Sequence, residues 1–253
     1  MKEQLKVVTW NIGGAHTINS NSTFDYDKED LSYFVDILKS TAADIVCLQE
    51  SHTKKGRILA ELIARELELP YVFDSPRSPS HIDENYELAN AILSRYPIEN
   101  PKHILLPDPP FELYFENGKQ ARLFHTYVQT AQICGITIAN THLQPLHLFG
   151  YSWNEGQGKM LASETEDVFL ENLETPLIFL GDFNAPHLQK DFSKFMKKFG
   201  LKFALNEEPT DVKGNKMDYI LYSQEFTLTV ADLIRTEKSD HYLGWTIFTH
   251  KVE

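Results

Sequence analysis

The sequence predicts an α/β protein, and three features carry that prediction. Short apolar runs such as Ala43-Asp-Ile-Val-Cys-Leu48 and Leu177-Ile-Phe-Leu180 read as strands buried on both faces. Between such runs, apolar residues recur at helical spacing, first as Leu31, Phe34, Val35 and Leu38. The strand-like runs also end on polar groups, which is where an α/β sandwich usually presents a site. With 253 residues, 42% hydrophobic and 24% charged, the chain is large enough for one substantial core. It shows no linker, repeat or low-complexity tract, so residues 1–253 read as a single domain.

Taken in order, Leu5-Lys-Val-Val-Thr-Trp10 is a strand ending on Asn11. Asn19 to Asp25 reads as a loop, and Asp25 or Asp27 as the cap of the first helix. The strand from Ala43 to Leu48 ends on Gln49-Glu50. Ile58, Leu59, Leu62, Ile63 and Leu67 mark a second helix, with Lys54, Lys55 and Arg57 in its solvated first turn. Tyr71 to Asp74 is strand-like, Ser75 to Asn85 a Pro- and Ser-rich loop, and Leu88 to Leu93 a strand. Ile104 to Leu106 is short, and Pro107-Asp-Pro-Pro110 breaks it off. Asn117-Gly118 signals a turn. Thr126 to Ile133 and Ile136 to Asn140 form a hairpin around Cys134-Gly135, its second strand ending on Thr141-His142. An aromatic loop from Leu146 to Gly156 leads into a helix from about Lys159 to Leu173. The strand at Leu177 runs through Gly181 into Asp182 and Asn184, two polar residues that period-two alternation places on one side, opposite Phe183. Phe192, Phe195, Met196 and Phe199 suggest a further helix. Met217 to Tyr222, Phe226 to Val230 and Gly244 to Phe248 are the last strands, with Ser239-Asp-His241 just before the final one.

The polar ends carry the function. Taken singly, Asn11, Glu50, His142, Asp182 and Asn184 are ordinary strand ends, Asp240-His241 stand just before a strand, and Asp218 adds a carboxylate at a strand start. Taken together they point to convergence on one cleft. Carboxylate and amide oxygens are hard ligands suited to Mg²⁺ or Mn²⁺, and the lack of clustered Cys or His argues against zinc. Glu50 is the natural carboxylate for such an ion. His and Asn supply donors for a phosphate oxygen, and an Asp can orient or deprotonate the attacking water. A serine nucleophile is the weaker reading, because Ser239-Asp-His241 lacks an elbow motif.

Seven segments, in order, resemble the endonuclease/exonuclease/phosphatase superfamily. They are Thr9-Trp-Asn-Ile12, Asp44-Ile-Val-Cys-Leu-Gln-Glu50, Ala91-Ile-Leu-Ser-Arg-Tyr-Pro-Ile98, Asn140-Thr-His-Leu143, Gly181-Asp-Phe-Asn184, Met217-Asp-Tyr-Ile220 and Ser239-Asp-His241. The resemblance implies a four-layer α/β sandwich, two mainly antiparallel or mixed sheets packed face to face with helices outside. It also implies a phosphate-ester hydrolase that depends on a divalent metal. By the same resemblance Glu50 is the principal metal ligand, with Asn11 beside it and Asp240 in or next to the shell. Asp182 acts on the water, Asn184, His142 and His241 hold the phosphate, and Asp218 orients His241. One departure stands out: some nucleic-acid repair relatives carry an acidic residue where this chain has Gly13.

Substrate and setting are expectations of a coarser kind. A net charge of −12 argues against gripping long nucleic acid non-specifically. A phosphodiesterase or nuclease acting on ends or single strands is expected, with Tyr151 and Trp153 available to stack on a base. The alternatives are a sphingomyelinase-like or inositol-phosphatase-like phosphoesterase and, remotely, an inactive binding module. An exposed apolar contact surface at Phe111, Leu113, Tyr114 and Phe115, or at Phe149, Tyr151 and Trp153, would favour lipid. No apolar run reaches transmembrane length and Met1-Lys-Glu-Gln leads straight into a strand, so a monomeric cytoplasmic protein without membrane insertion is expected. Cys47 and Cys134 sit in apolar runs and read as buried thiols rather than a disulfide.

Overall fold

Alternation along the apolar runs decides which layer each side chain enters. In the computed structural model, which describes residues 4–19, 22–115, 117–121 and 124–250, the strands are β1 (Gln4–Asn11), β2 (His16–Asn19), β3 (Ser22–Glu29), β4 (Ile45–Lys54), β5 (Arg57–Ile58), β6 (Tyr71–Pro79), β7 (Glu87–Ser94) and β8 (Glu99–Leu105). They continue as β9 (Tyr127–Ile133), β10 (Ile136–His142), β11 (Leu177–Asp182), β12 (Lys202–Phe203), β13 (Asp218–Tyr222), β14 (Phe226–Ile234) and β15 (Leu243–His250). The α-helices are α1 (Leu31–Thr41), α2 (Leu59–Glu66), α3 (Gly156–Asn172), α4 (Leu188–Asp191) and α5 (Ser193–Lys198).

Two mixed sheets result. One has the order β14-β15-β1-β4-β7-β6, with β5 added to β4; the other has the order β12-β13-β11-β10-β9-β8. Within them β1 and β4, and β10 and β11, run parallel at the centre. Val7, Ile45, Cys47, Ile92, Ile138, Ile178 and Leu180 fill the space between the sheets. Their neighbours Val8, Val46 and Leu48 point the other way, into a cluster with Phe34, Leu38, Leu59 and Ile63 of α1 and α2. On the far side, Leu177 and Phe179 meet Phe169 of α3 and Phe195 of α5. This is the four-layer sandwich expected. Each parallel pair shares one direction within its sheet, and residues of all four strands, Asn11, Glu50, His142 and Asp182, line one cavity.

Several local expectations are corrected. Asn19 to Asp25 is not a loop but part of a small hairpin of β2 and β3, apart from the sandwich; Ser20 and Asn21 lie outside the described residues, as do Met1–Glu3. The cap of α1 is Asp30, whose Oδ1 accepts from Tyr33 N, rather than Asp25 or Asp27. The Lys54 to Arg57 segment is a turn between β4 and β5, not a helical turn. The strand after Tyr71 continues through the Pro- and Ser-rich segment to Pro79. Cys47 is buried as expected, whereas Cys134 sits in the hairpin turn at φ +54, half-buried.

A few buried polar groups tie the two sheets across this apolar layer: Gln129 Nε2 of β9 donates to Phe73 O at 2.7 Å and to Asn90 O at 3.3 Å, and Asn140 makes a second tie beside it. Asn140 of β10 donates through Nδ2 to Leu48 O (3.0 Å), Ala91 O (3.2 Å) and Gln129 Oε1 (3.2 Å), and its Oδ1 accepts from Gln49 Nε2 at 2.7 Å. Leu48 and Ala91 belong to the first sheet, Asn140 and Gln129 to the second. Asn140→Leu should therefore lower stability by about 2–4 kcal/mol, because buried groups on both sheets lose partners at about 1–3 kcal/mol each. Chemical denaturation measures this, and a loss within about 0.5 kcal/mol would contradict the tie.

Candidate active site

Each candidate side chain is delivered to the shared edge by a local device. Asn11 ends β1; its Nδ2 donates to Asp182 Oδ2 at 3.2 Å and its Oδ1 accepts from Gly13 N at 3.2 Å. Glu50 does not end its strand. β4 passes through it with one extra residue between Leu48 and Ser51 relative to β7, and Glu50 takes φ +53 at this bulge. A bulge re-aims a side chain, and a non-glycine residue in the left-handed region costs about 1–3 kcal/mol. Glu50 Oε2 is buried and has no hydrogen-bond partner.

On the second sheet, Gly181 has φ +142, and a Cβ there would lie 2.1 Å from Thr141 O. Only glycine allows β10 and β11 this approach, which sets His142 directly beside Asp182 in register. Asn184 turns at φ +47; its N–H donates to Asp182 Oδ1 at 3.0 Å and its Nδ2 to Leu143 O at 3.0 Å. Asp218 faces Asp182 across β11 and β13, and Thr210 Oγ1 accepts from its N–H at 2.9 Å. His241 Nδ1 donates to Asp218 Oδ2 at 2.8 Å.

Asn11, Glu50, His142, Asp182, Asn184, Asp240 and His241 line one cavity of about 950 Å³, while Asp218 lies behind His241. The Nε2 atoms of His142 and His241 each stand 3.7 Å from Asp182 Oδ2, and His142 Nε2 is 3.8 Å from Glu50 Oε1. These gaps exceed a hydrogen bond and leave both nitrogens aimed at the space over the carboxylates.

Burial and charge set the protonation states. Burial, with Asp218 next to it, raises Asp182 to about 7, against the opposing pull of His241 and Asn11. Burial raises Asp240 as well, opposed by His241 and reinforced by Glu50. His142 is held well below the usual range by burial and then by the Arg77 guanidinium. Burial pushes His241 the same way, yet Asp218 and Asp182 outweigh it and hold it well above. One imidazole is neutral, the other charged.

A hard cation fits the chemistry of this wall. The orphaned Glu50 Oε2, beside Asn11 and Asp240, asks for a positive partner. Asp182, Asp218 and His241 also offer ligand atoms within 4.8 Å of one another. There, however, His241 Nδ1 is already spent on Asp218, which holds the ring charged with a proton on Nε2, and the Asp182 oxygens accept from Asn11 and Asn184. That triplet reads as an aligned Asp-His pair next to a buried carboxylate.

Sequence reasoning missed three neighbours. Tyr26 donates its hydroxyl to Asp240 Oδ2 at 3.0 Å and fills the space beside Gly13, where a Cβ would meet its ring at 3.0 Å. Arg77 reaches His142, and His81 stands between Tyr26 and Phe124. All three lie in segments that read as loops or caps, which hid them. Trp153 is the opposite case: it is buried, donates Nε1 to Asn184 O at 3.0 Å and packs on Phe192, so it does not offer a face to a base. The half-exposed Phe124 and Phe149 and the exposed Phe115 line the cavity instead.

The sequence matches the Endonuclease/Exonuclease/phosphatase family over residues 8–241. No curated protein matches it. Among solved structures it is similar to an endonuclease/exonuclease/phosphatase from Beutenbergia cavernae (16% identity, 98% of this chain and 72% of that one, TM-score 0.75). It is similar to the human Nocturnin catalytic domain with a bound sulfate anion (20%, 98% and 94%, TM-score 0.68). It is similar also to the 3′ phosphatase NExo from Neisseria bound to a product DNA hairpin (18%, 96% and 98%, TM-score 0.62).

The charge states are directly testable. A raised histidine keeps its proton as pH rises through the usual value near ~6.5, and the stability from its partner is lost only above the folded value. In the metal-free protein, NMR should show His241 titrating above the ordinary histidine range, and Asp218→Asn should bring its titration down. His142 should stay neutral to lower pH than an ordinary histidine, since a depressed histidine charges only below its folded value. An ordinary titration of His241 near ~6.5 would undo the pairing with Asp218.

Proposed function

The chain belongs to the endonuclease/exonuclease/phosphatase family, and on that premise we propose that it hydrolyses a phosphodiester or terminal phosphate in nucleic acid with Mg²⁺ or Mn²⁺ as cofactor. The observation that carries this reading is the convergence of Asp182 with one neutral and one charged imidazole over the same cavity wall. Glu50, with Asn11 and Asp240, would hold the metal, which when bound supplies a Lewis acid for the phosphoryl and leaving oxygens. Asp182, raised to about 7, is poised as the base that takes the proton of the attacking water. The water oxygen bonds to phosphorus as the ester bond breaks and the leaving oxygen departs. The Nε2–H groups of His142 and His241 donate to non-bridging oxygens as their charge grows. Asn184, with a second N–H to spare on Nδ2, completes the seat, and Asp218 keeps His241 aligned.

Nucleic acid is favoured by the aromatic rim of Phe115, Phe124, Phe149 and His81 around the cavity, suited to an unpaired base. The DNA product in the Neisseria structure supports the same substrate class. A lipid reading keeps one observation, the exposed Tyr114 and Phe115 beside the mouth. Among the described residues no helix is long and apolar enough to cross a membrane.

Turnover of single-stranded and 3′-phosphorylated oligonucleotides, a small chromogenic phosphodiester and phospholipid vesicles should be compared with Mg²⁺ and Mn²⁺. Glu50→Gln should lower metal affinity and activity together, and His241→Ala should cost about 10²–10³ in kcat. Phe124→Ala should raise KM for oligonucleotides several-fold and leave the small diester unchanged. Wild-type turnover in excess chelator would sink the metal assignment, and vesicles hydrolysed far faster than any oligonucleotide would give the lipid reading its place.

A further inference from the structure

We propose that Arg77 is a positioning residue that locks His142 in the tautomer carrying its proton on Nε2, so that this N–H stays aimed at the phosphate seat. The idea rests on the phosphohydrolase reading of the same site. Arg77 lies in β6 at a register shift: Pro76 pairs with Ala89 and Ser78 with Leu88, so Arg77 is the extra residue of a bulge. The bulge turns a side chain of the first sheet across to the end of β10 in the second. There Nη1 donates to the carbonyl of His142 at 3.2 Å and Nη2 meets the ring Nδ1 at 2.9 Å. One guanidinium therefore holds both the backbone and the ring of the same residue.

The chemistry of that contact allows one arrangement. A guanidinium is donor-only and keeps its protons, so Nδ1 must be the acceptor and carry none. A neutral imidazole has a single N–H, which is then on Nε2. That atom faces Asp182 Oδ2 at 3.7 Å and Glu50 Oε1 at 3.8 Å, across a gap wide enough for a substrate oxygen. The opposite tautomer would point a lone pair at two carboxylates and at any phosphate oxygen between them, which is repulsive. His241 gets its orientation from a carboxylate behind it; His142 gets the complementary one from a cation.

Nitrogen-15 shifts of His142 in the metal-free protein at a single neutral pH test this without reference to activity. Wild type should show a bare Nδ1 and a protonated Nε2, and Arg77→Met should place a proton on Nδ1 in a substantial fraction of molecules. With a turned-over phosphoester, Arg77→Met should lose about 10²-fold in kcat with KM changed little, because the lost donor acts where charge develops. Arg77→Lys, which keeps the charge but cannot make both bonds, should fall between, and added guanidinium ion should restore part of the rate to Arg77→Ala. A protonated Nδ1 in wild type overturns the proposal, as do unchanged shifts and wild-type kcat in folded Arg77→Met. If the wild type turns over no phosphoester, the functional reading fails, while the nitrogen shifts still decide what Arg77 does.

Discussion

The arrangement of this site depends on a buried amide between two sheets. Apolar packing between sheets is tolerant of sliding, since leucine and isoleucine side chains accept many neighbours at similar energy. Asn140 removes that tolerance. Its amide reaches Leu48 O and Ala91 O on one sheet while accepting from Gln49 Nε2, all buried. A slip of one residue would strand these groups without water, at about 1–3 kcal/mol each. Asn140 stands two residues before His142, and Gln49 immediately before Glu50. This tie, with the Gln129 bonds beside it, therefore lies next to residues on both walls of the cavity. Across the same gap Asn11 Nδ2 donates to Asp182 Oδ2 at 3.2 Å.

The same economy appears in the two histidines. Both are buried, and burial alone drives both toward the neutral form. Their partners then oppose burial in one case and add to it in the other. At His241, Asp218, held by Thr210 at the start of β13, outweighs burial; at His142, burial decides and Arg77, turned inward by a bulge, reinforces it. Two chemically identical rings become a charged donor and a neutral donor. A phosphate oxygen between them gains hydrogen bonds from both sides while the local charge stays moderate beside Glu50, Asp182 and Asp240.

What the sequence reveals follows from the length scale of each signal. The β11 segment is legible because an apolar run that leads through Gly181 into Asp182 and Asn184 cannot be buried as plain core. Polar strand ends at Asn11 and His142 are legible for the same reason. Glu50 is legible as a cleft residue, but the continuation of its strand to Lys54 is not, because a bulge has no periodicity of its own. Arg77 is hidden between Pro76 and Pro79, residues that usually end a strand; β6 is an edge strand, where proline is tolerated. Trp153 misleads in a different way. A Gly- and aromatic-containing stretch reads as an open loop, and only the fold shows the indole tucked under Asn184, its N–H answering a buried carbonyl.

The net charge of −12 and the proposed phosphate chemistry of the cavity look opposed, and the resolution is one of range. At physiological salt the charge on distant faces is screened within about 8 Å. What a phosphate meets is the cavity itself, where Arg77, Lys119, Lys213 and the charged His241 stand against Glu50, Asp182, Asp211 and Asp240. These nearly balance, so a divalent cation at Glu50 would turn the wall positive at the point of reaction and nowhere else. A long polyanion lying over the rest of the surface gains nothing from that and meets repulsion along its length. A short end entering the cavity avoids it. Under the proposed function, discrimination between them would follow from where the few cations sit, against a net charge of −12.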